Sequence, residues 1–154
     1  MQTVGIIGGS GFIGSYVTKI FLEENFDVRV SSTDINNKSK YMHLLSLTNA
    51  ADNLEIFPVD VRDKKSIEDF VTGCDIVIHG GTPFTLDVKD PQTELMEPTV
   101  QGTRNFLEVI AKTQRVKKVV FIASIAAWNT SFPRRSETNT LPFNGVPSVD
   151  LMYR

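Results

Sequence analysis

The run Gly8-Gly9-Ser10-Gly11-Phe12-Ile13-Gly14 stands between two patterns of different period. Before it, residues 4–7 (Val-Gly-Ile-Ile) form an apolar run of strand length; after it, Ile13, Val17, Ile20 and Phe21 recur at helical spacing through about residue 24. A glycine run that leaves a strand and opens a helix is the setting in which phosphate binding has a physical basis. In the GxxGxxG spacing, Gly8 permits a tight turn, Gly11 lets a pyrophosphate approach the backbone without a Cβ in the way, and Gly14 allows close packing of helix on strand. A dinucleotide pyrophosphate at this point would meet unpaired N–H groups and the positive end of the helix dipole.

Outward from the loop the alternation continues. Residues 27–32 read as a second strand, 38–50 as a helix carrying Tyr41, Leu44, Leu45 and Leu47, and 54–59 as a third strand. Residues 64–72 read as a short helix, 75–79 as a fourth strand, 91–113 as a long helix and 116–124 as a fifth strand. Residues 129–147, rich in Asn, Thr, Ser and Pro, have no sustained period and read as a loop. Strand and helix in alternation predict an α/β fold: a Rossmann-type doubly wound parallel sheet in three αβα layers, strand order 3-2-1-4-5, with the ligand over the carboxyl ends of the strands. On this reading, residues 1–154 are the N-terminal part of an NAD(P)-binding domain truncated after its fifth strand. Residues 129–154 then form an irregular segment leading toward a catalytic helix and substrate domain beyond Arg154. The fifth strand is expected to be an exposed edge able to pair with another chain.

Composition narrows the partners. With 154 residues, 41% apolar and 22% charged, the chain suits one ordinary globular domain, and a formal charge of −2 gives no broad attraction to nucleic acid or anionic membranes. Cys74 is the single cysteine, which excludes a disulfide framework, and neither His43 nor His79 has a partner at metal-ligand spacing. The opening residues Met1-Gln2-Thr3-Val4 lack the charged and apolar regions of a signal peptide, and no apolar run approaches the roughly 20 residues needed to span a bilayer. A cytoplasmic protein acting on small molecules, without metal, nucleic acid or membrane, is the expectation.

GGSGFIG, Gly8 to Gly14, resembles the cofactor loop of the extended short-chain dehydrogenase/reductases, the NAD-dependent epimerase/dehydratase superfamily. GCDIVIHGGTPFTLDVKDPQTELMEP, Gly73 to Pro98, is similar to the branch containing dihydroflavonol reductases and cinnamoyl-CoA reductases. The likeness runs from Thr3 to about Ala127, and KDPQTEL is more specific to the branch than the glycine loop is. It implies an NAD(P)-dependent reductase of a carbonyl, or dehydrogenase of a secondary alcohol, whose cofactor loop includes Gly8, Gly11, Phe12, Ile13 and Gly14.

Further positions follow from the resemblance. Asp60 and Val61 end the third strand where the family contacts adenine, the Asp accepting from the base's amino group; a turn Asp is the plainer reading. Gly80-Gly81-Thr82 either lets the cofactor pass close to the fourth strand or forms a simple turn. At the end of the second strand a carboxylate would select NAD and a cation NADP. Here Thr33 replaces a family Arg, Lys40 matches a family Lys that reaches the phosphate, and Ser31 and Ser32 could donate hydrogen bonds, so NADP is weakly preferred over NAD. Asp34 stands slightly late for the ribose.

For chemistry, Ser124 matches the family Ser that hydrogen-bonds the reacting carbonyl, although TSS here reads Ile122-Ala123-Ser124. Tyr153 matches the proton-transferring Tyr, which also contacts the cofactor, and the Lys expected four residues later falls beyond Arg154. A phenol near pKa 10 needs an adjacent positive charge to act near neutrality, so the 154 residues alone are expected to be inactive. Thr99, in Thr99-Val100-Gln101-Gly102-Thr103-Arg104-Asn105, stands where many extended members have Asn. A sugar epimerase or dehydratase, or a cofactor-binding sensor without turnover, are the alternatives.

Overall fold

The computed structural model describes residues 1–81 and 89–123. Alternation along the strands divides the interior into two cores. β1 (Thr3–Ile7) sends Val4 and Ile6 to one face and Ile7 to the other, and β4 (Ile76–His79) sends Ile78 to the first and Val77 to the second. Valines of β2 (Asp27–Ser32) complete the first core with Leu22, Tyr41 and Leu44, while Ile67, Phe70, Phe106 and Val109 complete the second. All pairings among β1, β2, β3 (Leu54–Pro58), β4 and β5 (Lys118–Phe121) are parallel, in the order β3-β2-β1-β4-β5. This is the expected doubly wound sheet. Its point of reversal lies between β1 and β4, where ligands of open parallel sheets bind.

α1 (Phe12–Glu23) forms where predicted, but its buried face is rotated about a third of a turn from the apolar stripe. Gly14, Thr18 and Leu22 face inward, with Val17 and Phe21 partly buried, while Ile13 and Ile20 are more than half exposed. Close packing at Gly14 sets this rotation, together with the bond from the buried Thr18 hydroxyl to the Gly9 carbonyl at 3.1 Å. The helix ends at Asn25, whose left-handed φ of 59° is eased by a short polar side chain; Phe26 N–H then bonds Phe21 O at 3.0 Å and the two rings meet edge to face.

The helix expected over residues 38–50 is replaced by a 3-10 turn at Lys38–Lys40, α2 (Met42–Leu45) and, after a break, α3 (Ala50–Asn53). Asn49 takes a left-handed φ of 63° there, a conformation no helix continues through, and its side chain donates instead to Leu22 O at the end of α1. α4 (Lys64–Val71) is capped by Asp63, whose carboxylate accepts from Lys65 N–H. The long helix expected over 91–113 is α5 (Glu97–Ile110) preceded by a π-helical turn at Gln92–Met96. Pro98 has no N–H to donate into that first turn, and Glu97 N–H reaches back five residues to Gln92 O. Among the described residues no helix is long and apolar enough to cross a membrane.

Candidate dinucleotide site

The loop after β1 is shaped by contacts within the protein. Gly8 has φ of +81°, and a Cβ on it would lie 2.8 Å from the Gly81 backbone, so the loops after β1 and β4 lean directly on each other. Gly8 N–H donates to Ser31 Oγ at 3.0 Å, which ties the loop to β2. A Cβ on Gly14 would lie 2.0 Å from Gly8 O, so α1 can seat this close only as glycine. The opening of α1 has no side-chain cap and no acidic residue in its first turn. Its first N–H groups, at Phe12, Ile13 and Gly14, have no acceptor within the helix, which is the donor set an anion fits.

A cleft of about 500 Å³ opens beside this loop at the carboxyl edge of the sheet. It brings together Gly8 and Ser10 of the glycine loop, Ser31, Ser32 and Thr33 at the end of β2, Lys40, Asp60 and Val61 after β3, and Gly81 after β4. Gly11, Phe12, Ile13, Gly14 and Gly80 belong to the same loop and strand end but do not line the cleft, and the Phe12 and Ile13 side chains are exposed. Thr82, Ser124 and Tyr153 lie outside the described residues.

At the end of β2, Lys40 Nζ donates to Thr33 Oγ1 at 3.2 Å, placing a cation where a ribose substituent would sit. Asp34 does not line the cleft; its Oδ1 accepts from Asn36 N–H at 3.0 Å. The Ser32 hydroxyl is turned to its own loop, donating to Asp34 O at 3.0 Å.

Asp60 is held more tightly. Its carboxylate accepts from Arg62 Nε at 3.0 and 3.2 Å, from Nη2 at 2.7 Å and from Arg62 N–H at 2.9 Å. The hydrogen bonds from the Arg62 side chain, more than its charge alone, hold the Asp60 carboxyl below the usual carboxylate range, and the same pairing raises Arg62.

Residues that sequence reasoning did not assign to the site complete it. Arg62 lines the cleft, and so does Glu94, whose Oε1 accepts from Lys89 and Asp90 N–H. Behind them, Asn105 on α5 is almost fully buried, and its amide donates to Val61 O at 3.1 Å and Arg62 O at 2.9 Å. Gly102, one turn earlier, leaves room for the Val61 side chain, which a Cβ would meet at 2.8 Å. A polar Asn among the buried positions 102, 105, 106 and 109 of α5 was the available signal.

His79 is buried at the end of β4, stacked on Phe121 at 4.5 Å and edge-on to Phe106 at 4.7 Å. Its Nε2 has no hydrogen-bond partner, and burial holds its pKa below the ordinary imidazole value. Cys74 packs in the second core as a small apolar residue, its thiol pushed up by burial.

Comparison with known proteins agrees with this geometry. The profile of the 3-beta hydroxysteroid dehydrogenase/isomerase family matches residues 5–137. A cinnamoyl-CoA reductase, CAD2, of Medicago truncatula is 37% identical over 126 residues, covering 82% of this chain and 39% of that protein. A dihydroflavonol 4-reductase of Arabidopsis thaliana is 37% identical over 128 residues, covering 83% of this chain and 34% of that one. The crystal structure of Candida albicans Gre2 in complex with NADPH superposes with a TM-score of 0.71 at 32% identity, covering 84% of this chain and 39% of that chain. The chain therefore spans well under half the length of these relatives.

Proposed function

The chain belongs to the 3-beta hydroxysteroid dehydrogenase/isomerase family, among the extended short-chain dehydrogenase/reductases related to the dihydroflavonol reductase-like plant enzymes, and from that membership we propose that it carries the dinucleotide-binding portion of an NAD(P)-dependent oxidoreductase. The reaction is reduction of a small-molecule carbonyl or oxidation of a secondary alcohol. The observation that carries this reading is the convergence, in one cleft at the carboxyl edge, of the glycine loop, the Thr33–Lys40 pair and the Asp60-Val61 turn beside the uncapped N-terminus of α1.

Gly8, Gly11, Phe12, Ile13 and Gly14 hold the pyrophosphate, with backbone N–H groups as donors. Asp60 and Val61 hold the adenine, while Gly80, Gly81 and Thr82 lie along the path toward the nicotinamide. Thr33 and Lys40, with Ser32 beside them, receive the ribose. Because the group nearest that position is a cation and Asp34 is engaged elsewhere, NADP is preferred over NAD. A nicotinamide cofactor supplies or takes up the hydride when bound. Ser124 hydrogen-bonds the carbonyl, and Tyr153 holds or gives up a proton at its phenol oxygen and touches the cofactor. The NADPH named with the Candida albicans protein supports the cofactor assignment. A second part of the proposal is self-association along β5, which is the last described strand on its side of the sheet and has Val119, Val120 and Phe121 exposed.

Calorimetric titration of the protein with NADP and NAD tests the reading. Saturable binding of both, tighter for NADP, is the expected result, and Lys40→Ala should lower NADP affinity about tenfold with little change for NAD. Absence of binding by either dinucleotide overturns it.

A further inference from the structure

We propose that Arg62 is the positioning residue for purine recognition: its guanidinium fixes the Asp60 carboxylate so that the cleft accepts a 6-aminopurine and rejects a 6-oxopurine. The inference rests on the dinucleotide-binding reading above.

The backbone of Asp60 is already immobile, because the Ser66 hydroxyl accepts from its N–H at 3.1 Å and donates to its carbonyl at 2.8 Å. The remaining freedom is rotation of the carboxylate, and Arg62 removes it with a fork of side-chain donors reinforced by its own N–H. The fork is itself anchored, since Arg62 O accepts from the buried Asn105 amide at 2.9 Å. Arg62 and Asp60 side chains are 67% and 45% exposed, so the ion pair contributes little to folding stability. Its consequence is orientation. An ionised carboxylate offers about four lone-pair directions, and the Arg62 contacts fall mainly on Oδ1 and one side of Oδ2, which leaves acceptor capacity on Oδ2 toward the cleft.

A 6-amino group can donate to that acceptor. A 6-oxo group presents another acceptor, and two opposed acceptors in a desolvated contact are penalised more than a missing bond is. Without Arg62 the carboxylate is free to turn and be hydrated, and this discrimination is lost.

The test is the ratio of affinities for NADP and its hypoxanthine analogue, measured by titration of the 154-residue protein and its variants. In the unaltered protein NADP should bind at least about tenfold tighter than the analogue. Arg62→Ala should bring the ratio close to one, chiefly by weakening NADP, and Arg62→Lys, which keeps the charge without the planar fork, should restore only part of it. Asp60→Asn, whose amide can donate to a 6-oxo group, should abolish or invert the preference while circular dichroism stays unchanged. The proposal is overturned if Arg62→Ala retains the ratio, if it weakens both ligands equally, or if the unaltered protein binds the two bases alike. Failure of the unaltered protein to bind either ligand overturns the dinucleotide reading as well.

Discussion

Gly14 and Gly11 stand in one loop for different reasons. A Cβ at Gly14 would fall 2.0 Å from Gly8 O, backbone that cannot step aside, whereas at Gly11 the only neighbour within 4 Å is Gly8 O at 3.3 Å. Gly14→Ala should therefore destabilise the fold by about 3 kcal/mol, an overpacking cost, as read from urea denaturation. Gly11→Ala should change stability by less than about 1 kcal/mol and instead weaken NADP binding, because its methyl stands where a pyrophosphate would approach. Equal stability losses at both positions would show that Gly11 serves packing alone. His79 adds a pH dependence. Burial lowers its folded-state pKa, so the unfolded chain takes up the proton first as pH falls. Its contribution is complete above the unfolded value of about 6.5 and is lost as pH drops through that value toward the folded one. The carboxylates held low by partners, Asp60, Asp75 and Glu108, act later, near the ordinary carboxylate range. Denaturation midpoints between pH 5 and 7 should flatten in His79→Phe, which fills the place between Phe106 and Phe121 with a ring that cannot be protonated.

At the scale of elements, α5 supports the site from behind. Its Asn105 amide satisfies the Val61 and Arg62 carbonyls, and Gln101 Nε2 donates to Asn105 Oδ1 at 2.7 Å. Asn105→Leu keeps the volume but removes the donors, so about 2 to 3 kcal/mol of stability should be lost. NADP affinity should fall with it, because the Asp60–Arg62 turn loses its anchor; a variant that loses stability but binds unchanged would confine Asn105 to folding. Such a role is hard to read from sequence, since Asn in a helix pattern gives no hint of which carbonyls it meets. The five strands and their order were legible because β1 to β5 are apolar runs separated by helical stretches of regular length. The face of α1 was misjudged because apolar spacing puts Ile13 and Ile20 together, whereas the absence of side-chain bulk at Gly14 decides which side can approach the sheet. The segment after β2 breaks at Asn49 for a reason of the same kind: its side chain caps α1, a partner far away in sequence. In the site, Gly8, Thr33, Lys40, Asp60 and Val61 were found from loop position and resemblance, while Arg62 escaped notice because an Arg two residues after an Asp is an ordinary surface pattern.

For the molecule as a whole, binding and chemistry draw on different parts of the chain. The adenosine and pyrophosphate half of the proposed site comes from β1, β2, β3 and the opening of α1, which pack on two cores containing Val4, Ile6, Leu22, Phe70 and Phe106. Each of these five is at most 1% exposed, so that half is built on a rigid base. The proposed chemistry falls to Ser124 and Tyr153, and within these 154 residues no cation follows Tyr153 except Arg154. A phenol near pKa 10 without a Lys held against it is a poor acid and a poorer base at neutral pH. A sample made of these 154 residues should therefore bind NADP while transferring no hydride to or from a panel of aryl ketones, aldehydes and secondary alcohols. The measurement is calorimetry beside NADPH absorbance on the same preparation. Turnover that persists and is abolished by Tyr153→Phe would show that the chain supplies its own activating charge, and the separation of binding from chemistry argued here would fail.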